Sequence, residues 1–294
     1  MSIITNQSKM NFSEKKYYSV LRNTNKAVVN DYPYPHVIIR DALPAELADA
    51  LTNQFPIRKF DGLSNNTRSD LISSEVLQQH DIPTKWTKFI EFHSTQDFLT
   101  QIIEVFGEHI VRQNPRQYPT LEHLHQLKAG RRYINSFSEA DVLMDAHIST
   151  NSPVTKVCSV RQVHVDNPNK LFSGLIYFRQ PEDDSVGGNL QLCKWKSEYK
   201  DRQKTKNYRE NLSEDYFSVV DEVKYENNVC ILFLNSLDAL HGVTPRSVTS
   251  CYRTFANFVG LVPYQLYSKN RKQIFSYAKL RRKLGMIKRR LLIT

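Results

Sequence analysis

The feature that most constrains this chain is a change of period at about Arg132. Beyond it, short β-branched or aromatic runs at residues 161–165, 171–178, 189–193, 217–223, 228–234 and 253–262 are separated by Asn, Asp, Gly and Pro. Runs of that length between turn residues predict antiparallel strands arranged as a sandwich or barrel. Ahead of it the pattern differs. A β-rich run at 34–40 precedes a helix carrying Leu47, Leu51 and Phe55, and a second helical region at 86–111 places Phe89, Ile90, Phe98, Ile102, Ile103 and Phe106 at threes and fours with breaks. The expected organisation is an N-terminal arm at 1–31, a helix-rich part at 32–131 packed on the core, a β core at 132–265 and a basic C-terminal helix at 266–294.

The 294 residues suffice for a full core, and no stretch approaches the roughly 20 apolar residues needed to span a bilayer. With no positive region and apolar block at its start, the chain is expected to be cytoplasmic. Cys158, Cys193, Cys230 and Cys251 form no Cys-x-x-Cys pair, so reduced, buried thiols are expected rather than a zinc knuckle or disulfide framework. The net charge of +10 is concentrated, since residues 269–290 hold ten basic residues and no acid. The remainder is near neutral, which argues against a basic groove for nucleic acid running through the protein. Within the tail, Tyr277, Leu280, Leu284, Ile287 and Leu291 form one apolar helical stripe. It reads as a helix packed on its own domain or on a dimer partner, with an anionic membrane surface or RNA as the other possible contact.

The chemistry lies in Arg161-Gln162-Val163-His164-Val165-Asp166. Period two puts His164 and Asp166 on one face of a strand, about 7 Å apart, close enough to share an ion once the strand end bends. A third ligand must come from elsewhere. His241, which follows the apolar run 229–234 and opens His241-Gly242-Val243, is the best placed, provided strand pairing brings it beside His164. Two histidines and one carboxylate make the facial triad preferred by non-haem Fe(II), with positions left open for co-substrate and oxygen, although zinc with a water would accept the same ligands.

His-x-Asp alone is a weak signal, and context gives it weight. The motif is followed by Leu175-Ile176-Tyr177-Phe178, then Gly187-Gly188-Asn189-Leu190, then Asn235, His241-Gly242-Val243 and Tyr252-Arg253-Thr254. In order and spacing this series, from about 145 to 262, resembles the 2-oxoglutarate/Fe(II)-dependent dioxygenases of the prolyl 4-hydroxylase-like branch. The resemblance implies a double-stranded β-helix core of the jelly-roll or cupin type. It implies Fe(II) on His164, Asp166 and His241, and hydroxylation of an aliphatic carbon with 2-oxoglutarate and O2 consumed and succinate and CO2 released. It also implies an arginine, a little past the second histidine, that grips the distal carboxylate of 2-oxoglutarate. Arg246 and Arg253 both compete for that role. Arg253 opens a strand and is preferred, with Tyr177 adding a hydroxyl, whereas Arg246 beside Pro245 reads as a surface turn residue.

Several polar residues carry blander readings. His123 and His125 fit an exposed helix or turn, His147 a packed strand position near the site, and His36, His80, His93 and His109 structural roles. Arg161 reads as a surface ion pair, and Asn235 as either a partner to a ligand histidine or a turn cap. The expected substrate is a small molecule or a peptide. Two other functions compete: a non-catalytic jelly-roll module recruiting an anionic partner through its basic tail, and a zinc hydrolase, which would have no use for Arg253.

Overall fold

The computed structural model describes residues 10–24, 27–57, 65–197 and 212–267. Two antiparallel sheets face one another. The larger runs β1 (His36–Ile39), β8 (Cys230–Leu234), β5 (Lys170–Tyr177), β10 (Arg253–Leu261), β4 (Val142–Asn151) and β2 (Arg68–Leu71), with β3 (Ala129–Arg131) parallel to β4. The smaller runs β7 (Phe217–Val223), β6 (Leu190–Trp195) and β9 (Leu240–Val243). From β5 onward the chain crosses between sheets, with β5, β8 and β10 in the larger and β6, β7 and β9 in the smaller. This winding is a double-stranded β-helix, so the fold is a jelly-roll core with flanking helices.

Alternation along the strands decides what each face meets. On β4, β5 and β10 one face offers Met144, Ala146, Ile148, Phe172, Ile176, Ala256 and Phe258, all buried in a single apolar cluster with the helices. These helices are α1 (Phe12–Tyr18), α2 (Ala45–Asn53), α3 (Ser73–Val76), α4 (Thr84–Phe92), α5 (Gln96–Gln113) and α6 (Leu121–His125). Trp86, Phe89, Phe98, Ile102 and Phe106 supply much of their side of the contact. The opposite face looks at the smaller sheet. There Leu175, Tyr177, Phe233 and Phe255 meet Leu190 and Leu192, but β4 presents Asp145, His147, Ser149 and Asn151. A strand that is apolar outward and polar inward builds a polar chamber between the sheets.

One expectation is located more closely and one changes. The helical region 86–111 is broken at residues 93–95 into α4 and α5, where His93, Ser94 and Thr95 turn their side chains back onto carbonyls of α4. Residues 161–165 form no ladder; His164 makes one isolated bridge, to His241. The arm contains α1, whose N-terminus is closed by a reciprocal Asn11 and Glu14 capping box. Of the cysteines, Cys193 and Cys230 are buried, but Cys158 and Cys251 are only half-buried. Among the described residues no helix is long and apolar enough to cross a membrane. Most of the charged loop expected at 194–211, and nearly all of the basic C-terminal helix, lie outside the described residues.

Candidate metal centre and its cavity

The bridge between His164 and His241 is reciprocal: His164 N donates to His241 O at 2.9 Å and His241 N to His164 O at 3.1 Å. That single pairing brings the two rings to 4.4 Å between centroids. Each ring is then oriented in the same way. Nδ1 of His164 lies 2.9 Å from the carbonyl of Gln162, and Nδ1 of His241 lies 2.9 Å from that of Ala239. A carbonyl only accepts, so each ring proton sits on Nδ1 and each Nε2 presents a lone pair.

Those lone pairs face a carboxylate. Nε2 of His164 is 3.7 Å from Asp166 Oδ1, and Nε2 of His241 is 3.9 Å from Asp166 Oδ2. One ligand atom from each of the three residues lies within 4.8 Å of the others. Asp166 Oδ2 is held by Lys170 Nζ at 2.9 Å and by Ser173 Oγ at 2.8 Å, and Asn235 Nδ2 donates to that same serine at 2.9 Å. Asn235 therefore steadies the carboxylate rather than a histidine.

Burial, reinforced by His164, pushes the His241 imidazole down to about 4. Burial also works against the Asp166 carboxylate, but Lys170 and the neighbouring imidazoles outweigh it and hold the group well below the usual carboxylate range. One ring nitrogen from each histidine and an ionised carboxylate thus converge on a single point. Two imidazole nitrogens and a carboxylate oxygen are a donor set that fits a divalent transition metal.

The centre opens on a cavity of about 490 Å³ between the sheets. At one end stands Arg253, buried and lining that cavity. Its Nε donates to Gly188 O at 3.0 Å and its Nη2 to Tyr177 Oη at 3.2 Å, and its guanidinium lies 4.6 Å from the centre of the Phe255 ring and 5.0 Å from that of Tyr177. Among the described residues no carboxylate lies within ion-pair distance of it. The Gly187-Gly188 turn permits this placement, because both residues adopt positive φ (87° and 74°) and a Cβ on Gly188 would press to 3.2 Å from Arg253 Nε.

Arg246 corrects the sequence reading. It is not at the surface but buried, with Nη2 donating to Asp183 Oδ2 at 2.7 Å and Nε to Ser185 Oγ at 2.8 Å. Residues 183–185 close over the turn and neutralise it, which a view of the turn alone misses. Arg161 is exposed at the cavity rim, His123 and His125 are exposed on α6, and His147 is a strand residue lining the cavity. His36 and His93 are buried, whereas His80 is exposed. Sequence reasoning missed Ser173 and Lys170. Period two from Tyr177 through Leu175 puts Ser173 on the interior face, and that signal was available.

No family model matches this chain, and no curated protein does. Among solved structures, a prolyl-4-hydroxylase from Pseudomonas putida is similar at 12% identity and a TM-score of 0.40, over 83% of this chain and 97% of that one. A prolyl 4-hydroxylase from Phytophthora capsici is similar at 14% identity and 0.43, over 88% and 68%. A prolyl hydroxylase from Trichoplax adhaerens, solved with a hypoxia inducible factor peptide fragment, is similar at 11% identity and 0.39, over 85% and 91%. At such scores no chemistry transfers, and the site stands on its own residues.

Proposed function

We propose that this chain is an Fe(II)- and 2-oxoglutarate-dependent oxygenase that hydroxylates an aliphatic carbon of a small-molecule or peptide substrate. The observation that carries the reading is a pairing within one cavity. A centre of two imidazole lone pairs and a carboxylate shares its chamber with a buried guanidinium that has no carboxylate of its own. The first suits a metal with open positions, and the second suits a ligand bearing a carboxylate.

In this reading Nε2 of His164, Nε2 of His241 and a carboxylate oxygen of Asp166 hold the iron. With 2-oxoglutarate and O2 bound, that iron supplies the oxidising chemistry, and succinate and CO2 leave. The chain's part is orientation. Arg253 receives the distal carboxylate of 2-oxoglutarate through paired N–H donors. Tyr177 accepts from Arg253 Nη2, so its own O–H proton is not used in that bond and remains for the same carboxylate. Ser173 and Lys170 keep Asp166 ionised and fixed, and Leu175, Phe233 and Phe255 wall the chamber with apolar surface. A zinc hydrolase leaves the unpaired Arg253 without a purpose. The binding-module alternative depends on the C-terminal tail, outside the described residues.

The test is anaerobic titration of the purified protein with Fe(II) and 2-oxoglutarate, following the visible charge-transfer band of the chelate. The band is expected in wild type, absent in His164→Ala and weakened in Arg253→Ala. A folded wild-type protein without the band would end the oxygenase reading.

A further inference from the structure

The charges that line the cavity pair off unevenly. Lys170 Nζ holds Asp166 Oδ2 at 2.9 Å, Arg68 Nε donates to Asp70 Oδ1 at 2.7 Å, and Arg253 stands at the co-substrate end. Arg132 lines the same cavity and is matched by neither carboxylate. Its side chain is 32% exposed, so a ligand can reach it. Its Nη1 lies 3.7 Å from Asp145 Oδ2, on the face of β4 that looks at the smaller sheet, which puts the guanidinium itself at the chamber wall.

That 3.7 Å is an ion-pair distance, too long for a hydrogen bond. Asp145 is already engaged, with Oδ1 accepting from Ser73 Oγ at 2.8 Å and Ser73 N at 3.2 Å, and Oδ2 lying 2.8 Å from His147 Nε2. Fully buried behind Arg132, Asp145 offsets part of its charge but takes none of its donors. Among the described residues the Arg132 head group meets that carboxylate and the Tyr133 ring and donates no hydrogen bond, although a guanidinium carries five N–H groups in a fork. It is nonetheless held in place. Arg132 N donates to Met144 O at 2.9 Å, and the guanidinium lies 4.5 Å from the centre of the Tyr133 ring. Tyr133 adopts φ 65°, which a bulky residue rarely does, and the turn sustains it: Arg131 N donates to Asn135 Oδ1 at 2.8 Å and Asn135 N to Arg131 O at 2.8 Å.

Position along the ladder separates Arg132 from Arg253. Asp145 pairs with Val259, which pairs with Ser173, so Arg132 stands at the level of the serine that holds Asp166, about 10 Å away across two strand spacings. Arg253 pairs with Asn151, about 20 Å along β4 from Asp145. One guanidinium serves the co-substrate end, and the other stands beside the triad. Resting on the oxygenase reading, we infer that Arg132 is a substrate-binding residue and that the substrate carries an oxyanion, a carboxylate or a phosphate monoester, a few bonds from the carbon facing the triad. The fork offers paired N–H donors to two oxyanion oxygens, and Tyr133 and Asp145 keep it in position. Arg161, exposed on the rim of the same cavity, adds positive potential along the approach. An uncharged analogue of the same shape leaves the fork unmet, so charge rather than bulk sets selectivity.

The test uses the full chain, loaded with Zn(II) as a redox-silent ion and saturated with 2-oxoglutarate, with binding read by calorimetry. N-acetyl amino acids are titrated beside their uncharged N-methylamides, and sugar monophosphates beside the free sugars. One charged series is expected to bind about tenfold tighter than its uncharged counterpart, and which series does so separates a carboxylate from a phosphate. Arg132→Gln should abolish that preference and Arg132→Lys, which keeps the charge without the fork, should retain part of it. Both variants should bind 2-oxoglutarate as wild type does, a readout that general damage to the fold would move. Equal binding of charged and uncharged probes, binding of neither series, or an undiminished preference in Arg132→Gln and Arg132→Lys would overturn the inference. Loss of 2-oxoglutarate binding in Arg132→Lys would overturn it too, by making Arg132 a co-substrate residue. Succinate release by the Fe(II)-loaded wild type is measured separately. Its absence beside an anion preference that depends on Arg132 would end the oxygenase reading while leaving the anion site in place.

Discussion

Two imidazoles lie buried on opposite sides of the larger sheet, and burial is the main cause that depresses both, His93 to about 3 and His241 to about 4. What their nitrogens meet separates them. His93 donates from Nδ1 to Phe89 O at 2.8 Å, accepts the Val20 amide at 3.3 Å on Nε2, and stacks on Phe258 with centroids 4.5 Å apart. Its capacity is used up, so it is a core residue that happens to be polar. His241 uses only Nδ1, and its Nε2 lone pair faces Asp166 across 3.9 Å. Equal burial with unequal satisfaction distinguishes a structural histidine from a ligand.

That contrast makes His241→Leu and His93→Ala opposite experiments. Removing the His241 lone pair at similar volume should weaken Fe(II) binding by about a thousandfold, roughly 4 kcal/mol. Unfolding of the metal-free protein should move by less than about 1.5 kcal/mol. His93→Ala should destabilise the fold by about 3 kcal/mol through the cavity and the stranded Val20 amide, while the folded fraction binds metal as wild type does. Calorimetric titration with Fe(II) and denaturant unfolding, run on both variants, decide the matter. If both lose metal and stability together, the two histidines are not separable.

The same pair predicts an acid response. His93 titrates near 3 when folded and at its ordinary 6.5 when unfolded, so below 6.5 the unfolded chain binds the extra proton. Stability is therefore lost as pH falls from about 6.5 toward 3. At pH 5 the loss is about 2 kcal/mol, from about 1.4 kcal/mol for each unit. Urea unfolding of wild type and His93→Phe at pH 7 and pH 5 reads the difference, since other groups titrate alike in both. Equal acid slopes would show that His93 charges without unfolding.

How much of this was legible beforehand follows the same logic of local against distant partners. The strands β5, β6, β7, β8 and β10 announce themselves through local composition, and so do His164, Asp166 and His241 through their place in the strand order. β4 does not, because its interior face reads Asp145, His147, Ser149 and Asn151, polar residues whose partners include Ser73 and Asp70 from far earlier in the chain. Arg246 failed for the same reason, its carboxylate lying 63 residues away at Asp183. Hydrophobic period is a local signal, whereas the satisfaction of a buried polar group is a tertiary one.

The smallest effect tests the next layer out from His241. Asn235 donates to Ser173, which donates to Asp166 Oδ2, while the buried Oδ1 of Asn235 has no partner. Truncating the serine removes a donor from the carboxylate but leaves Lys170 on the same oxygen. Ser173→Ala should therefore weaken Fe(II) binding only about tenfold, and Asn235→Ala by less, because the serine hydroxyl still reaches Asp166 on its own. Measured by competition with a chelator, the order Ser173→Ala above Asn235→Ala would place the constraint in the hydroxyl. The reverse order would show that the serine is directed by the asparagine, and that the residue just past the end of β8 sets the geometry of the triad.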